Sequence, residues 1–181
     1  MKKINHANAQ SAMFTEAMEA PEVVARQLEK NRTIVSALAR ELLANDPYSL
    51  VTVARGSSDH AAQYLNYLAG LLLGKLSTSL SLSLVTIYQK AINTERSLAI
   101  AISQSGESPD LIEPMKSFKQ NALSTIALVN AVDSPLAQVV KWVVPLQAGA
   151  GKSVAATKSF IASLTASASL IASMGQLREL Q

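Results

Sequence analysis

The chain has 181 residues, 49% of them hydrophobic and 16% charged, with a net charge of +3 and no cysteine. That length suits one domain with a full core, or part of something longer, and a charge density below the roughly 25% of an average soluble domain predicts that a partner covers some of the surface. The missing cysteine excludes disulfides, thiolate metal sites and a cysteine nucleophile, while scattered basic residues with no aromatic–basic stripe argue against nucleic acid.

His6 and His60 lie far apart and form no metal-ligand spacing, so neither a metal nor a cofactor is expected. Lys2 and Lys3 lead into Asn5-His6-Ala7-Asn8 rather than into the apolar core of a signal peptide, and no apolar run is long enough to span a bilayer. A cytoplasmic protein with no membrane partner is the expectation.

Residues 1–20 show no firm period and read as an arm that packs on something else. Between Pro21 and Ala44, the spacing of Val24, Leu28, Val35, Leu38 and Leu42 predicts a helix, which Asn45-Asp46-Pro47 stops. Arm and helix together form an N-terminal unit over 1–45, ahead of the main domain over 46–181. Leu50-Val51-Thr52-Val53-Ala54 reads as a first buried strand, Arg55-Gly56-Ser57-Ser58-Asp59-His60 as a turn, and about Ser58–Gly74 as a helix. The alternating segment Ser77–Leu84 predicts a half-exposed strand, and Leu84–Ala91 a short helix.

Leu98-Ala99-Ile100-Ala101-Ile102, bounded by polar residues, has the form of a strand buried on both faces of a parallel sheet. It opens into Ser103-Gln104-Ser105-Gly106-Glu107-Ser108, followed by a helix with Ser108 as its N-cap and Pro109 in its first turn. Ser124–Val129 predicts a fourth strand, Ser134–Val140 a helix, and Trp142–Leu146 a fifth strand at the sheet edge, since proline cannot donate to a ladder. Gly149 and Gly151 mark a loop before a last helix over about Val154–Met174. Lys158 is the only charge in that helix, so it is expected to be buried on all sides, with its outer face against another domain or subunit.

Strands alternating with helices imply a doubly wound, mostly five-stranded parallel α/β sheet of flavodoxin-like form, preceded by a helical arm. Ligands of such sheets bind at the carboxyl ends of the strands, near the point where strand order reverses. The serine turn offers hydroxyls from Ser103, Ser105 and Ser108, free N–H groups and a helix N-terminus, a combination suited to phosphate. With no lysine or arginine in the loop, a phosphomonoester fits better than a nucleoside triphosphate; the alternative is an ordinary capped turn. Gly56, Ser57 and Ser58 form a second cluster at a neighbouring strand end.

Three segments carry a resemblance: Ala54-Arg55-Gly56-Ser57-Ser58-Asp59-His60-Ala61, Ser103-Gln104-Ser105-Gly106-Glu107-Ser108, and Ser153-Val154-Ala155-Ala156-Thr157-Lys158-Ser159-Phe160. In this order and spacing they resemble the signatures of a sugar isomerase (SIS) domain. More narrowly, the chain is similar to the first of two SIS domains in the isomerase part of glucosamine-6-phosphate synthase, and above all to its shorter relatives, the SIS-type glucosamine-6-phosphate deaminases. The likeness covers roughly residues 20–175.

The resemblance implies that Ser103, Gln104, Ser105 and Ser108 hold the phosphate of a hexose or hexosamine 6-phosphate. Gly56, Ser57, Ser58, Val154, Ala155 and Ala156 would line the sugar. Ala156 departs from the synthase pattern, which usually has serine there. The implied chemistry is conversion of glucosamine 6-phosphate to fructose 6-phosphate plus ammonia through ring opening and an enolamine. Its glutamate, histidine and lysine are expected in a second SIS domain and tail beyond Gln181, so these residues alone are expected to bind without turnover, as part of a homodimer in contact with a second SIS domain.

Within the chain, His60 is the one candidate for an acid–base role, and its other reading is a polar lining residue in a helix's first turn. Glu107 reads as a solvated turn residue, Lys158 as snorkelling from its helix, and Arg55 as either a sugar contact or the partner of an acid. Alternatives to the deaminase are the isomerising aminotransferase half, a fructosamine phosphate deglycase, and a sugar-phosphate-sensing domain. Sensors of this kind usually carry a helix-turn-helix, and residues 1–46 offer no basic recognition helix.

Overall fold

The computed structural model describes residues 11–151 and 153–179. Residues 1–10 of the expected arm lie outside that range. In chain order the elements are α1 (Ala12–Met18), α2 (Ala20–Asn45), β1 (Ser49–Val53), α3 (Ser57–Leu73), β2 (Leu76–Ser79), α4 (Ser83–Thr86), β3 (Ser97–Ser103), α5 (Pro109–Asn121), β4 (Ser124–Val129), α6 (Pro135–Val139), β5 (Trp142–Pro145) and α7 (Lys158–Glu179). The strands form one parallel sheet in the order β2-β1-β3-β4-β5. The expected α/β sheet of five strands is present, with β5 at an edge.

The central strand shows how sequence sets packing. All seven residues of β3 are buried, and alternation sends Leu98, Ile100 and Ile102 to one face and Ala99 and Ala101 to the other. The large face meets Leu38, Leu42, Leu65 and Leu170 from α2, α3 and α7. Over the alanines, the gap is filled by Met115 and Phe118 of α5 and Leu136 of α6, all fully buried. Small strand residues opposite large helix residues interdigitate to interior density.

Several features differ from the sequence reading, among them the short helix expected over Leu84–Ala91, which spans Ser83–Thr86. Residues 12–18 form a helix, N-capped by Ser11, whose Oγ accepts from the Phe14 N–H at 3.2 Å. On α2 the buried stripe runs Val23, Gln27, Asn31, Val35, Leu38, Leu42, and Leu28 faces solvent. Gln27 and Asn31 sit at core positions because their amides satisfy backbone carbonyls: Gln27 Nε2 donates to Leu146 O at 2.8 Å and Ala162 O at 3.0 Å, and Asn31 Nδ2 to Pro145 O at 2.6 Å. The alternating serine–leucine segment contributes only the four-residue β2, because α4 begins at Ser83. Finally, α7 starts at Lys158 rather than Val154. It packs against both α2 and α3, which flank it within the chain itself.

Lys158 is a further correction. Instead of snorkelling to water it is buried, and its Nζ donates to Glu19 Oε2 at 2.6 Å. Among the described residues, no helix is long and apolar enough to cross a membrane.

At the amino ends of the strands, Glu41 ties α2 to β4 and β5, accepting from Lys141 Nζ at 2.7 Å, Trp142 Nε1 at 3.2 Å and Ser124 Oγ at 3.4 Å. Partial burial pushes its carboxyl up, but the hydrogen bonds from Lys141, Trp142 and Ser124 and the lysine charge outweigh this and hold it below the usual glutamate range. A lowered carboxyl stabilises the fold fully above its ordinary range and loses that contribution as pH falls through the lowered value. Glu41→Gln is therefore expected to cost about 1 kcal/mol in urea unfolding at neutral pH. The gap should narrow as pH falls below the usual glutamate range and through the lowered value at which the parent's carboxylate is itself protonated.

Candidate functional site

The strand order reverses between β1 and β3, and the turns leaving those two neighbours run straight into α3 and α5. Two helix N-termini therefore converge at the carboxyl edge of the sheet. The first turn passes through Gly56, whose φ of 56° and ψ of −132° suit glycine alone. The second passes through Gly106, at φ 66°. A Cβ on Gly106 would lie 2.6 Å from Ser134 Cβ, nearer still to its Oγ, and 3.1 Å from Val129 Cγ2. This turn is thus pressed onto the loop before α6. That loop and the start of α6 also hold the turn's carbonyls, with Ala131 N–H donating to Gln104 O at 3.2 Å and Leu136 N–H to Gly106 O at 3.0 Å.

The serines do two kinds of work in this turn. Ser103 Oγ, buried, accepts from the Gly106 N–H at 3.0 Å, and exposed Ser105 Oγ accepts from the Glu107 N–H at 3.3 Å. Two N–H groups expected to be free for a ligand are therefore taken by serine hydroxyls. The longer Ser105 bond is the weaker, so an incoming oxyanion displaces it more readily. Ser108 occupies the N-cap position of α5 as expected, but its side chain makes no capping bond.

A small cavity of about 80 Å³ lies between the two turns and α7, lined by Ser57, Ser58, Gln104, Ala156, Ser159, Phe160 and Ser163. It brings together one member of the serine turn, two of the Gly56 cluster and three of the 153–160 segment, Ala156, Ser159 and Phe160. Val154 and Ala155 are exposed, and neither they nor Ser103, Ser105 and Ser108 line this cavity. Sequence reasoning quoted Ser159 and Phe160 within the third signature without giving them a site role, and missed Ser163. They stand one turn apart on α7, but starting that helix four residues early hid which face it turned to the sheet.

The remaining candidates lie around this space. His60 is exposed on α3 and outside the cavity lining, and its neighbour Asp59 accepts from Ser79 Oγ at 2.9 Å. Arg55 pairs with Asp110 at the start of α5, in line with its reading as the partner of an acid, and so links the two turns. Glu107 is exposed, as expected of a solvated turn residue. Among the described residues, no group of histidine, aspartate and glutamate could hold a metal.

A larger opening, of about 500 Å³, lies elsewhere, beside α2, with Arg26, Lys30, Asn130 and Gln147 on its walls. Its charge is partly spent, since the Arg26 guanidinium donates twice to Gln147 O, at 2.6 and 3.2 Å. The serine hydroxyls and the two helix N-termini stand at the convergent turns, away from this larger opening.

A parallel 2-1-3-4-5 sheet with two hydroxyl-rich turns at its switch point defines a flavodoxin-like α/β domain. Residues 42–173 match the family model of the SIS domain, and the chain belongs to that family. It is 31% identical over 153 residues to the isomerizing glutamine–fructose-6-phosphate aminotransferase of Thermococcus kodakarensis, covering 84% of this chain and 25% of the relative. The chain spans about a quarter of the length of such curated relatives.

Among solved structures, a protein of Silicibacter pomeroyi provisionally described as a phosphosugar isomerase superposes with a TM-score of 0.89 at 39% identity, over 92% of this chain and 51% of the other. The C-terminal domain of the Francisella tularensis glucosamine-fructose-6-phosphate aminotransferase shares the fold, with a TM-score of 0.80 at 23% identity, over 100% of this chain and 51% of that one.

Gly106 supplies a direct test of the turn's geometry. Gly106→Ala should lower the unfolding free energy by about 2–4 kcal/mol, from backbone strain plus overlap with Ser134. Adding Ser134→Gly should return part of that loss, because it removes the side chain that the new methyl group meets. Equal urea midpoints for the single and double variants would show that Ser134 does not set the constraint.

Proposed function

We propose that this chain is the sugar-phosphate-binding domain of an enzyme acting on hexosamine 6-phosphates, with residues 46–181 forming the first of two SIS domains. Ser103, Gln104, Ser105 and Ser108 grip the phosphate. Gly56, Ser57, Ser58 and the Val154–Ala156 segment line the sugar. The reaction is release of ammonia from glucosamine 6-phosphate to give fructose 6-phosphate, with proton transfer carried out by groups outside these 181 residues. The observation that carries the reading is the Gly106 turn. It sets three serine hydroxyls and a helix N-terminus at the strand-order switch point, where hydroxyls already satisfy N–H groups that a phosphate oxygen would accept from.

The names of the curated relatives favour a second reading of the same grip, in which the reaction runs towards amination. Both directions need the same phosphate hold. Exposed Tyr67, Leu71, Leu76, Ile87 and Tyr88, on α3 and around β2 and α4, supply apolar surface for the expected second copy or second SIS domain. A strictly monomeric chain in sedimentation equilibrium would overturn the dimer. Cytoplasmic residence belongs to the same proposal.

Binding is tested by thermal unfolding with and without glucosamine 6-phosphate. At ligand a hundredfold above its dissociation constant, stabilisation of about 2.7 kcal/mol is expected. Ser105→Ala should lose most of the shift while its own unliganded midpoint stays near the parent's. A parent midpoint that ignores the ligand would contradict the phosphate grip.

A further inference from the structure

Glu16 is the one buried residue of α1, at 6% exposure, on a helix whose Met13, Phe14 and Met18 are 52%, 49% and 66% exposed. Burying a carboxylate is costly unless it is hydrogen-bonded, so apolar burial is not what seats this helix. Glu16 Oε1 accepts from the Ser153 N–H at 2.9 Å, and Oε2 lies 3.0 Å from Ser153 Oγ. Three residues on, Glu19 takes the buried Lys158 ammonium at the first turn of α7. Both ends of the segment leading into α7 are thereby fastened to the N-terminal helices.

That segment passes the candidate site. A Cβ on Gly151 would stand 3.0 Å from Gln104 Nε2 and 4.0 Å from Glu16 Oε1, so the backbone there runs between the serine turn and the buried carboxylate. Ala156, further along, shares a cavity wall with Gln104. Ser153 Oγ is also 2.6 Å from Ala155 O, a bond that closes a local bend between these points.

We propose that Glu16 is a positioning residue that holds Gly151 and the segment from Ser153 to Thr157 against the sugar-phosphate site, making the seating of α1 and the binding of ligand one linked equilibrium. The inference rests on the reading of that site given above. Glu16 touches no substrate; it acts through Ser153.

The test compares Glu16→Ala and Glu16→Gln with the parent chain, by amide hydrogen exchange and by titration with glucosamine 6-phosphate and, separately, inorganic phosphate. Glu16→Ala should speed exchange over residues 151–157 and weaken glucosamine 6-phosphate by about tenfold, leaving inorganic phosphate affinity unchanged. Glu16→Gln, whose amide oxygen still accepts from the Ser153 N–H, should recover most of both effects. Should Glu16→Ala fail to fold, Ser153→Ala reads the same contact from the segment's side. Unchanged exchange over 151–157 overturns the positioning role, as does equal loss of both ligands. A parent that ignores glucosamine 6-phosphate overturns the proposed function instead, and the exchange result alone then decides on Glu16.

Discussion

The close approach of Gly106 to Ser134 and Val129 governs where everything else at the strand ends can go. β3 is buried on both faces, so its path is fixed by packing on either side, and the chain must leave it by a sharp turn to reach α5. Glycine alone makes that turn here, because any Cβ would occupy space already held by Ser134. Once the turn is pressed down, its N–H groups and the three serines stand at the rim beside Gly56 and α3. The hydroxyls are supplied by side chains, but the backbone and the space beneath it decide where they stand.

The N-terminal helices and the segment before α7 complete the rim through polar contacts rather than apolar ones. Gln27 and Asn31 use buried amides to fix carbonyls at the end of β5 and just after it, the Arg26 guanidinium holds the Gln147 carbonyl, and Glu16 and Glu19 fasten Ser153 and Lys158. Such bonds are individually worth about 1 kcal/mol or a little more, but leaving a buried partner unmatched costs the whole desolvation penalty. A region held this way is rigid when every bond is made and opens locally when one is lost.

Much of this was legible in the sequence where the signal is local. The Leu98–Ile102 pentad, Pro109 after Ser108, and the glycines at 56 and 106 each declare their structure within a few residues, and together they fix the sheet and its ligand edge. Contacts distant in sequence left no such mark. Glu16 meets Ser153 across 137 residues, and nothing in a seven-residue helix with exposed methionines points to it. Gln27 and Asn31 break the apolar stripe of α2, so the stripe was read one position out, through Val24 and Leu28. Alternating serine and leucine promised a longer β2, but the strand is cut short by α4, a tertiary decision that periodicity cannot foresee. Residue types identified the hydroxyls of the serine turn, whereas the division of labour among them, with Ser103 and Ser105 bonded inward and Ser108 uncommitted to its cap, comes only from geometry.

The central claim is one of place: an anionic sugar binds at the switch point between β1 and β3, not in the wider opening beside Arg26 and Lys30. A titration of the 15N-labelled chain with glucosamine 6-phosphate, followed through backbone amide shifts, addresses it directly. The account predicts that the largest changes fall on residues 104–108 and on Ser57 and Ser58, with Gly106 and Glu107 moving as their serine partners are displaced. Changes confined to Arg26, Lys30, Asn130 and Gln147, with the serine turn unmoved, would contradict it.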